Sequence, residues 1–205
     1  LVPSVKDAFG FYHADAARIL SNPRAHIVID DGRRYLKRTR QKFDVVVMDP
    51  PPPVEAAGSS LLYSEEFYEL VKQRLKPNGI IQAWYPRARF DVEQAILRSV
   101  QNSFPYVQCF DSVSKGGTHV LASIEPIPIP NGEELAAKMP AAAAIDLMEW
   151  STSENLPAYL NVILTQHLAS DRVLNPDPSL RITDDRPYNE YFLLRRFGLL
   201  KIAKP

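Results

Sequence analysis

The chain has a single cysteine, Cys109, in 205 residues. No intrachain disulfide can form, which suits a reducing, cytoplasmic setting. It has no run of about 18 apolar residues, the length a membrane-spanning helix needs, so no membrane contact by this chain is expected. The first residues carry no basic-then-apolar leader pattern. Net charge of one sign is also missing. Lys and Arg total 24, Asp and Glu total 24, and the pI is near 7.1. A nucleic-acid binder would show a basic footprint, so no nucleic-acid partner is expected. The one basic run, "GRRYLKRTRQK" at 32–42, reads as a solvated helix end. His13, His26, His119 and His167 show no metal-ligand spacing with each other or with Cys109, so no metal is expected. There is no G-x-S-x-G element, so that class of hydrolase is unsupported. There are no internal repeats.

What remains is an ordinary globular balance, 45% hydrophobic and 23% charged. Three β-branched apolar runs read as buried strands: "HIVID" (26–30), "FDVVVMD" (43–49) and "GIIQAWY" (79–85). Nearly continuous apolar runs are typical of strands covered on both faces. Helical patterns separate them. "DGRRYLKRT" (31–39) opens on an aspartate cap. "SEEFYELVKQRLKPNG" (64–79) has a serine cap, two glutamates in its first turn, basic residues near its end and a Pro-Asn-Gly stop. "DVEQAILRSVQNSF" (91–104) is a further helix, and "YVQCFDS" (106–112) with "THVLASIE" (118–125) forms an antiparallel hairpin. The aromatic "FGFYH" (9–13) reads as helix packing. Alternating strands and helices predict an α/β fold, a mostly parallel sheet with an antiparallel edge hairpin. After the proline-punctuated "EPIPIPNG" the pattern changes. The expected organisation is a catalytic domain over 1–125 and a helical extension over 126–205 packed on the sheet or on a partner. "NPDPSLRITDDRPYNEYFLLRRF" (175–197) reads as a loop and a final apolar stretch.

In open α/β sheets ligands bind beyond the carboxyl ends of parallel strands. Asp30 and Asp31 lie at the end of the first run and Asp49 at the end of the second. Asp31 also reads as a plain helix cap, and Asp49 as a turn residue before proline. Two such acids at neighbouring strand ends point more strongly to a site than either alone.

"VIDDGRRYL", "FDVVVMDPPPP" and "LLYSEEFYELVKQRLKPNGIIQAW" resemble, in order and spacing, the central motifs of the spermidine synthases, the polyamine aminopropyltransferases. The closing "TDDRPYNEYFLLRR" resembles spermidine-synthase-like proteins, some of which carry an N-terminal membrane region. The resemblance implies a Rossmann-like class I methyltransferase fold that binds decarboxylated S-adenosylmethionine and moves its aminopropyl group to a small-molecule amine. It implies a homodimer as well. By motif position Asp31 would accept from the adenine 6-amino group, Gly32 would allow the turn, and Asp30 would stand beside them. Asp49 would be the catalytic carboxylate, orienting the amine and taking its proton. Pro50 to Pro53 would hold the rim, and Leu61, Leu62 and Tyr63 would cover the co-substrate.

The motif also departs from the family. The family's second acid, three residues on from the first, is Pro52 here. Trp84 and Tyr85 stand where a glutamine ends the next strand, and Val113 and Ser114 where a tyrosine precedes the hairpin. An altered amine site is expected, lined by Trp84 and Tyr85. Asp184 and Asp185 would supply the missing charge if their loop folds over the rim. A buried ion pair of either with Arg186 is the competing reading. The glycine-rich loop for the methionine moiety and the acid for the ribose are absent, so the chain reads as lacking the N-terminal part of the family's domain. Strand 26–30 would then move beside 43–49 or pair with another chain. Two other functions fit the same residues. "DPPP" resembles the "DPPY" of amino methyltransferases, which use S-adenosylmethionine. The altered amine site also fits a non-catalytic cytoplasmic domain of a membrane-associated relative.

Overall fold

The computed structural model describes residues 3–50, 53–168 and 178–191. The chain divides into two compact units, 1–41 and 42–205, and the three helices after residue 125 belong to the second.

The first unit holds α1 (Pro3–Tyr12), α2 (Ala16–Leu20) and α3 (Gly32–Arg38). Asp31 caps α3 as its sequence implies, its carboxylate accepting from the Arg34 N–H at 2.7 Å. Phe9 stacks on His13 with ring centroids 4.5 Å apart, but Phe11 and Tyr12 are exposed rather than packed. The run at 26–30 is not a strand. Its backbone forms no described ladder, and Ile27, Val28 and Ile29 are exposed. A β-branched composition favours extended backbone, but a strand also needs a neighbour to satisfy its N–H and C=O groups. The run pairs with no described strand.

The second unit is built on a mixed five-stranded sheet. Its strands are β1 (Phe43–Met48), β2 (Leu75–Pro86), β3 (Tyr106–Asp111), β4 (Gly117–Ser123) and the short β5 (His167–Leu168), in the order β1-β2-β4-β3-β5. β1 and β2 are parallel, and β4 runs antiparallel to both β2 and β3. The hairpin expected at an edge is therefore present with its second strand inserted between β2 and β3. Two helices follow the strand–helix alternation, α4 (Glu65–Lys72) and α5 (Phe90–Ser103).

α4 starts where its cap predicts. The Ser64 hydroxyl accepts from the Phe67 N–H at 3.2 Å, and Phe67, Tyr68, Leu70 and Val71 are buried. Each such side chain contributes about 1.5–3 kcal/mol of burial. The helix ends sooner than expected, because Leu75 already pairs with Phe43 and the Phe43 N–H donates to Arg74 O at 2.8 Å. The register then slips before Val45 meets Ile80, so Pro77 falls in the irregular stretch, where its missing N–H costs no ladder bond.

Along β2, Gly79, Ile81, Ala83 and Tyr85 are buried, while Ile80, Gln82 and Trp84 on the alternate face are half-buried. The Tyr68 hydroxyl of α4 bonds that of Tyr85, which identifies the buried face as the helix-covered one. On the other face Val45 and Val47 of β1, an outer strand of the described sheet, are 55% and 66% exposed.

Beyond residue 125 come α6 (Gly132–Lys138), α7 (Ala141–Met148) and α8 (Leu156–Leu164), helical as expected. α6 opens with a reciprocal capping box between Asn131 and Glu134, and α6 packs on α8. Ile145 and Trp150, in and just after α7, are exposed. The final apolar stretch expected near 192–197 lies outside the described residues.

Candidate active site

Asp49 follows directly on the carboxyl end of β1, and it is exposed. The next residue, Pro50, is buried, anchoring the turn away from the strand. Pro51 and Pro52, including the position of the family's second acid, lie outside the described residues. The chain then runs through Pro53–Gly58 into a 3-10 turn at Ser59–Leu62. Gly58 sits at φ +82°, the left-handed region open to glycine, and this reverses the chain ahead of the turn. Leu61 is exposed, Leu62 half-buried and Tyr63 wholly buried.

The Asp49 carboxylate acts on two aromatic groups. One is the Tyr63 phenol, whose pKa is raised first by burial, then by the charges of Glu55 and Asp49. Its hydroxyl finds no hydrogen-bond partner among the described residues. The other is the His119 imidazole of β4. Burial lowers its pKa, and Asp49 opposes that shift. The Gln82 amide lies 3.4 Å from His119 Nδ1. Asp49, Tyr63 and His119 thus form one electrostatic neighbourhood at the strand ends. The His119 imidazole, its pKa lowered by burial, can take up a proton beside the carboxylate, whereas the raised Tyr63 phenol stays protonated and can only donate a hydrogen bond.

Trp84 and Tyr85 part company, as alternation requires. Trp84 is half-buried directly opposite His119. Tyr85 is buried on the helix-covered face, its hydroxyl 2.5 Å from that of Tyr68 and its ring 5.6 Å from that of Tyr63. Burial holds the Tyr68 and Tyr85 phenols far above the ordinary value.

Asp184 and Asp185 are described and exposed, and each carboxylate is engaged by a hydroxyl side chain. Asp184 accepts from the Ser64 hydroxyl at 2.6 Å, and its N–H donates to Glu66 at 3.0 Å. Asp185 accepts from the Thr183 hydroxyl at 2.5 Å. Arg186 is exposed as well, so the buried ion pair is not formed. The same segment reaches the rim by other residues. The wholly buried Asn189 donates to Val54 O and, at 2.8 Å, to Ser59 Oγ. Glu190 accepts from the Ser60 N–H at 3.0 Å.

In the first unit, Asp30 accepts from Arg34 and from the Asp31 N–H. The Arg34 bond is the main cause of its lowered pKa. Asp31 and Gly32 are exposed at the start of α3. Among the described residues no group of three or more His, Cys, Asp or Glu could hold a metal, and no helix is long and apolar enough to cross a membrane.

The sequence raises His119 only as a candidate metal ligand and places Asn189 and Glu190 in no motif for the rim. The cross-strand position of His119 depends on β4 entering the sheet beside β2, which local pattern does not reveal. Asn189 and Glu190 act across more than 120 residues of chain, beyond any local signal.

Residues 2–113 match the spermine/spermidine synthase domain, and the chain belongs to that family. It is 36% identical over 101 residues to the polyamine aminopropyltransferase of Sulfurisphaera tokodaii, covering 49% of this chain and 32% of that protein. It is 37% identical over 60 residues to polyamine aminopropyltransferase 2 of Pseudomonas aeruginosa, covering 29% of this chain and 17% of that protein. The chain thus spans about a third or less of the length of these relatives. Its fold is similar to the crystal structure of spermidine synthase from Thermotoga maritima, with a TM-score of 0.57 at 20% identity over 97% of this chain and 58% of that one. A spermidine synthase solved with the transition-state analogue AdoDATO gives a TM-score of 0.55, again at 20% identity, over 97% of this chain and 57% of that one.

Proposed function

We propose that the chain carries the amine-side machinery of an aminopropyltransferase that uses decarboxylated S-adenosylmethionine and a small-molecule amine. The observation that carries this reading is the exposed Asp49 at the end of β1, inside the segment that matches the family domain. In the reaction the amine lone pair attacks the aminopropyl carbon next to the sulfonium. The new C–N bond forms as the C–S bond breaks, and neutral 5′-methylthioadenosine leaves. The amine must first lose a proton. Asp49 draws the ammonium, aims its nitrogen and takes or relays that proton.

The acceptor we favour has a cationic amine on a less polar body. Trp84, half-buried opposite His119, offers an indole face to such a body or to a cation. For the nucleoside the proposed contacts are Asp31 and Gly32 of the first unit. Asp31 Oδ1 takes the Arg34 N–H, and the exposed carboxylate keeps Oδ2 for an adenine amino group. Asp30, committed to Arg34, supports that turn. A homodimer in the cytoplasm is part of the proposal.

Calorimetric titration of the chain, extended upstream, with 5′-methylthioadenosine and with S-adenosylhomocysteine tests the co-substrate. Preference for methylthioadenosine is expected. Preference for S-adenosylhomocysteine would mean a methyltransferase, and binding of neither a non-catalytic relative. Asp49→Asn is expected to abolish transfer while leaving folding intact, and full turnover in that variant would remove Asp49 from the mechanism.

A further inference from the structure

The loop between Asp49 and Tyr63 has little hydrophobic content of its own to hold it. Its side chains after Pro53 are Val54, Glu55, two alanines, a glycine and two serines before Leu61. Of these, Val54 and Ser60 are buried. Part of the loop's order is internal, through the Ser59 hydroxyl on Val54 O at 2.6 Å and on Ala56 O at 2.7 Å.

The rest comes from the far end of the described chain. Asn189 is wholly buried, and its amide bonds Val54 O and Ser59 Oγ, the start and the turn of the loop. Glu190 is 5% exposed and accepts from the Ser60 N–H. Burial alone would raise the Glu190 pKa. Hydrogen bonds from Ser60 and from the Gly58 and Ser60 amides outweigh it and hold the carboxyl below its ordinary value. The carboxylate is therefore ionised at neutral pH, and its bonds to the loop are charge-assisted. The segment that carries this pair is itself fixed. The Ile182 N–H donates to Ser99 Oγ at 2.8 Å, the Glu65 N–H donates to Ile182 O at 3.0 Å, and Asp184 holds Ser64. A fixed strap, a loop with little packing of its own and two site groups at that loop's ends make one mechanical unit.

We propose that Asn189 and Glu190 are positioning residues of the active site: they clamp the 54–60 loop and thereby set where the Asp49 carboxylate and the Tyr63 phenol stand for the acceptor amine. The inference rests on the aminopropyltransferase reading for its catalytic consequence but not for its structural one. Without the clamp the loop samples other conformations, and Asp49 loses its fixed relation to β4. The amine then binds less well, while the nucleoside contacts in the first unit are untouched.

The test uses Glu190→Ala, with Glu190→Gln as the variant of the same shape. Three readouts are taken. Amide hydrogen exchange at Gly58 and Ser60 should quicken about tenfold or more, the weight of one charge-assisted hydrogen bond, while β2 and β4 amides keep their protection. The amine KM should rise about tenfold with methylthioadenosine affinity unchanged, and Glu190→Gln should recover part of the loss. Burial lowers the His119 pKa and the Asp49 charge opposes that shift. The NMR titration of His119 therefore reports where the Asp49 carboxylate stands, and in Glu190→Ala it should move toward the value seen in Asp49→Asn. Unchanged exchange at Gly58 and Ser60, or an unchanged His119 titration, would overturn the proposal. So would faster exchange spread evenly over the sheet, which marks general destabilisation. If the wild type transfers no aminopropyl group, the proposed function fails, and the exchange and NMR arms still decide the clamp. If Glu190→Ala does not fold, Glu190→Gln carries the same test with smaller shifts of the same sign.

Discussion

Tyr68 of α4 and Tyr85 of β2 share a hydrogen bond, 2.5 Å between hydroxyl oxygens, with both rings buried. It joins a helix to the strand beside the site. Changing either tyrosine to Phe leaves the other hydroxyl buried without that partner. A loss of about 1–3 kcal/mol is expected for each single variant. The double variant removes both polar groups and should lose less than the sum of the two. Urea unfolding of all four proteins gives the coupling term directly. Strict additivity would show that the bond contributes nothing.

Gly117 opens β4 opposite Pro86. A Cβ built there would lie 2.1 Å from Tyr85 O and 2.8 Å from Trp84 Nε1. The strand backbone cannot yield without breaking its ladder with β2. Gly117→Ala is therefore expected to cost about 1–3 kcal/mol by overpacking and to displace the Trp84 indole. A change in Trp fluorescence alongside the lower unfolding midpoint is the measurement, with Trp150→Phe as the background to isolate Trp84.

Ser64 both caps α4 and donates to Asp184. Ser64→Ala should cost about 1 kcal/mol for the cap alone. It should also remove the Ser64 bond to Asp184, so the joint loss with Asp184→Asn should fall short of the sum. Denaturant midpoints of the two single variants and the double variant decide it.

Much of this was legible in the chain. β1, the second half of β2, and the β3–β4 pair stand on β-branched runs, and the caps of α3 and α4 are where Asp31 and Ser64 put them. Asp49 stands where the sequence puts it, directly after the β1 run. The failures have a common cause. The run at 26–30 has the composition of a strand, but composition supplies no ladder partner. Lys76–Gly79 resembles a helix stop, yet pairing of Leu75 with Phe43 had already ended the helix. The partners of Trp84 and Tyr85, the approach of His119 and the clamp by Asn189 and Glu190 all depend on contacts between residues far apart in sequence. Periodicity records which face a residue takes, not what lies across from it.

Cys109 of β3 is 5% exposed, and burial pushes its thiol pKa up to about 12. The thiolate is the reactive form. At pH 8 the native protein should therefore resist a thiol-reactive disulfide reagent, and one equivalent should react on unfolding in guanidinium. Rapid native labelling would mean that β3 opens locally, beside its short pairing with β5.

His119 gives the pH dependence its sign. Burial lowers its folded-state pKa below the ordinary 6.5, and Asp49 only partly offsets that. Below 6.5 the unfolded chain binds the proton more readily than the folded one. This group's contribution to stability is therefore full above 6.5 and is lost as pH falls through the folded value. His119→Gln should flatten the part of the stability curve just below 6.5. Asp49→Asn removes the charge that favours the imidazolium, so the His119 pKa should fall further, and NMR titration of the imidazole would show it. A rise, or no change, in the Asn variant would mean that the two residues do not face one another, and the proton path through them would have to be abandoned.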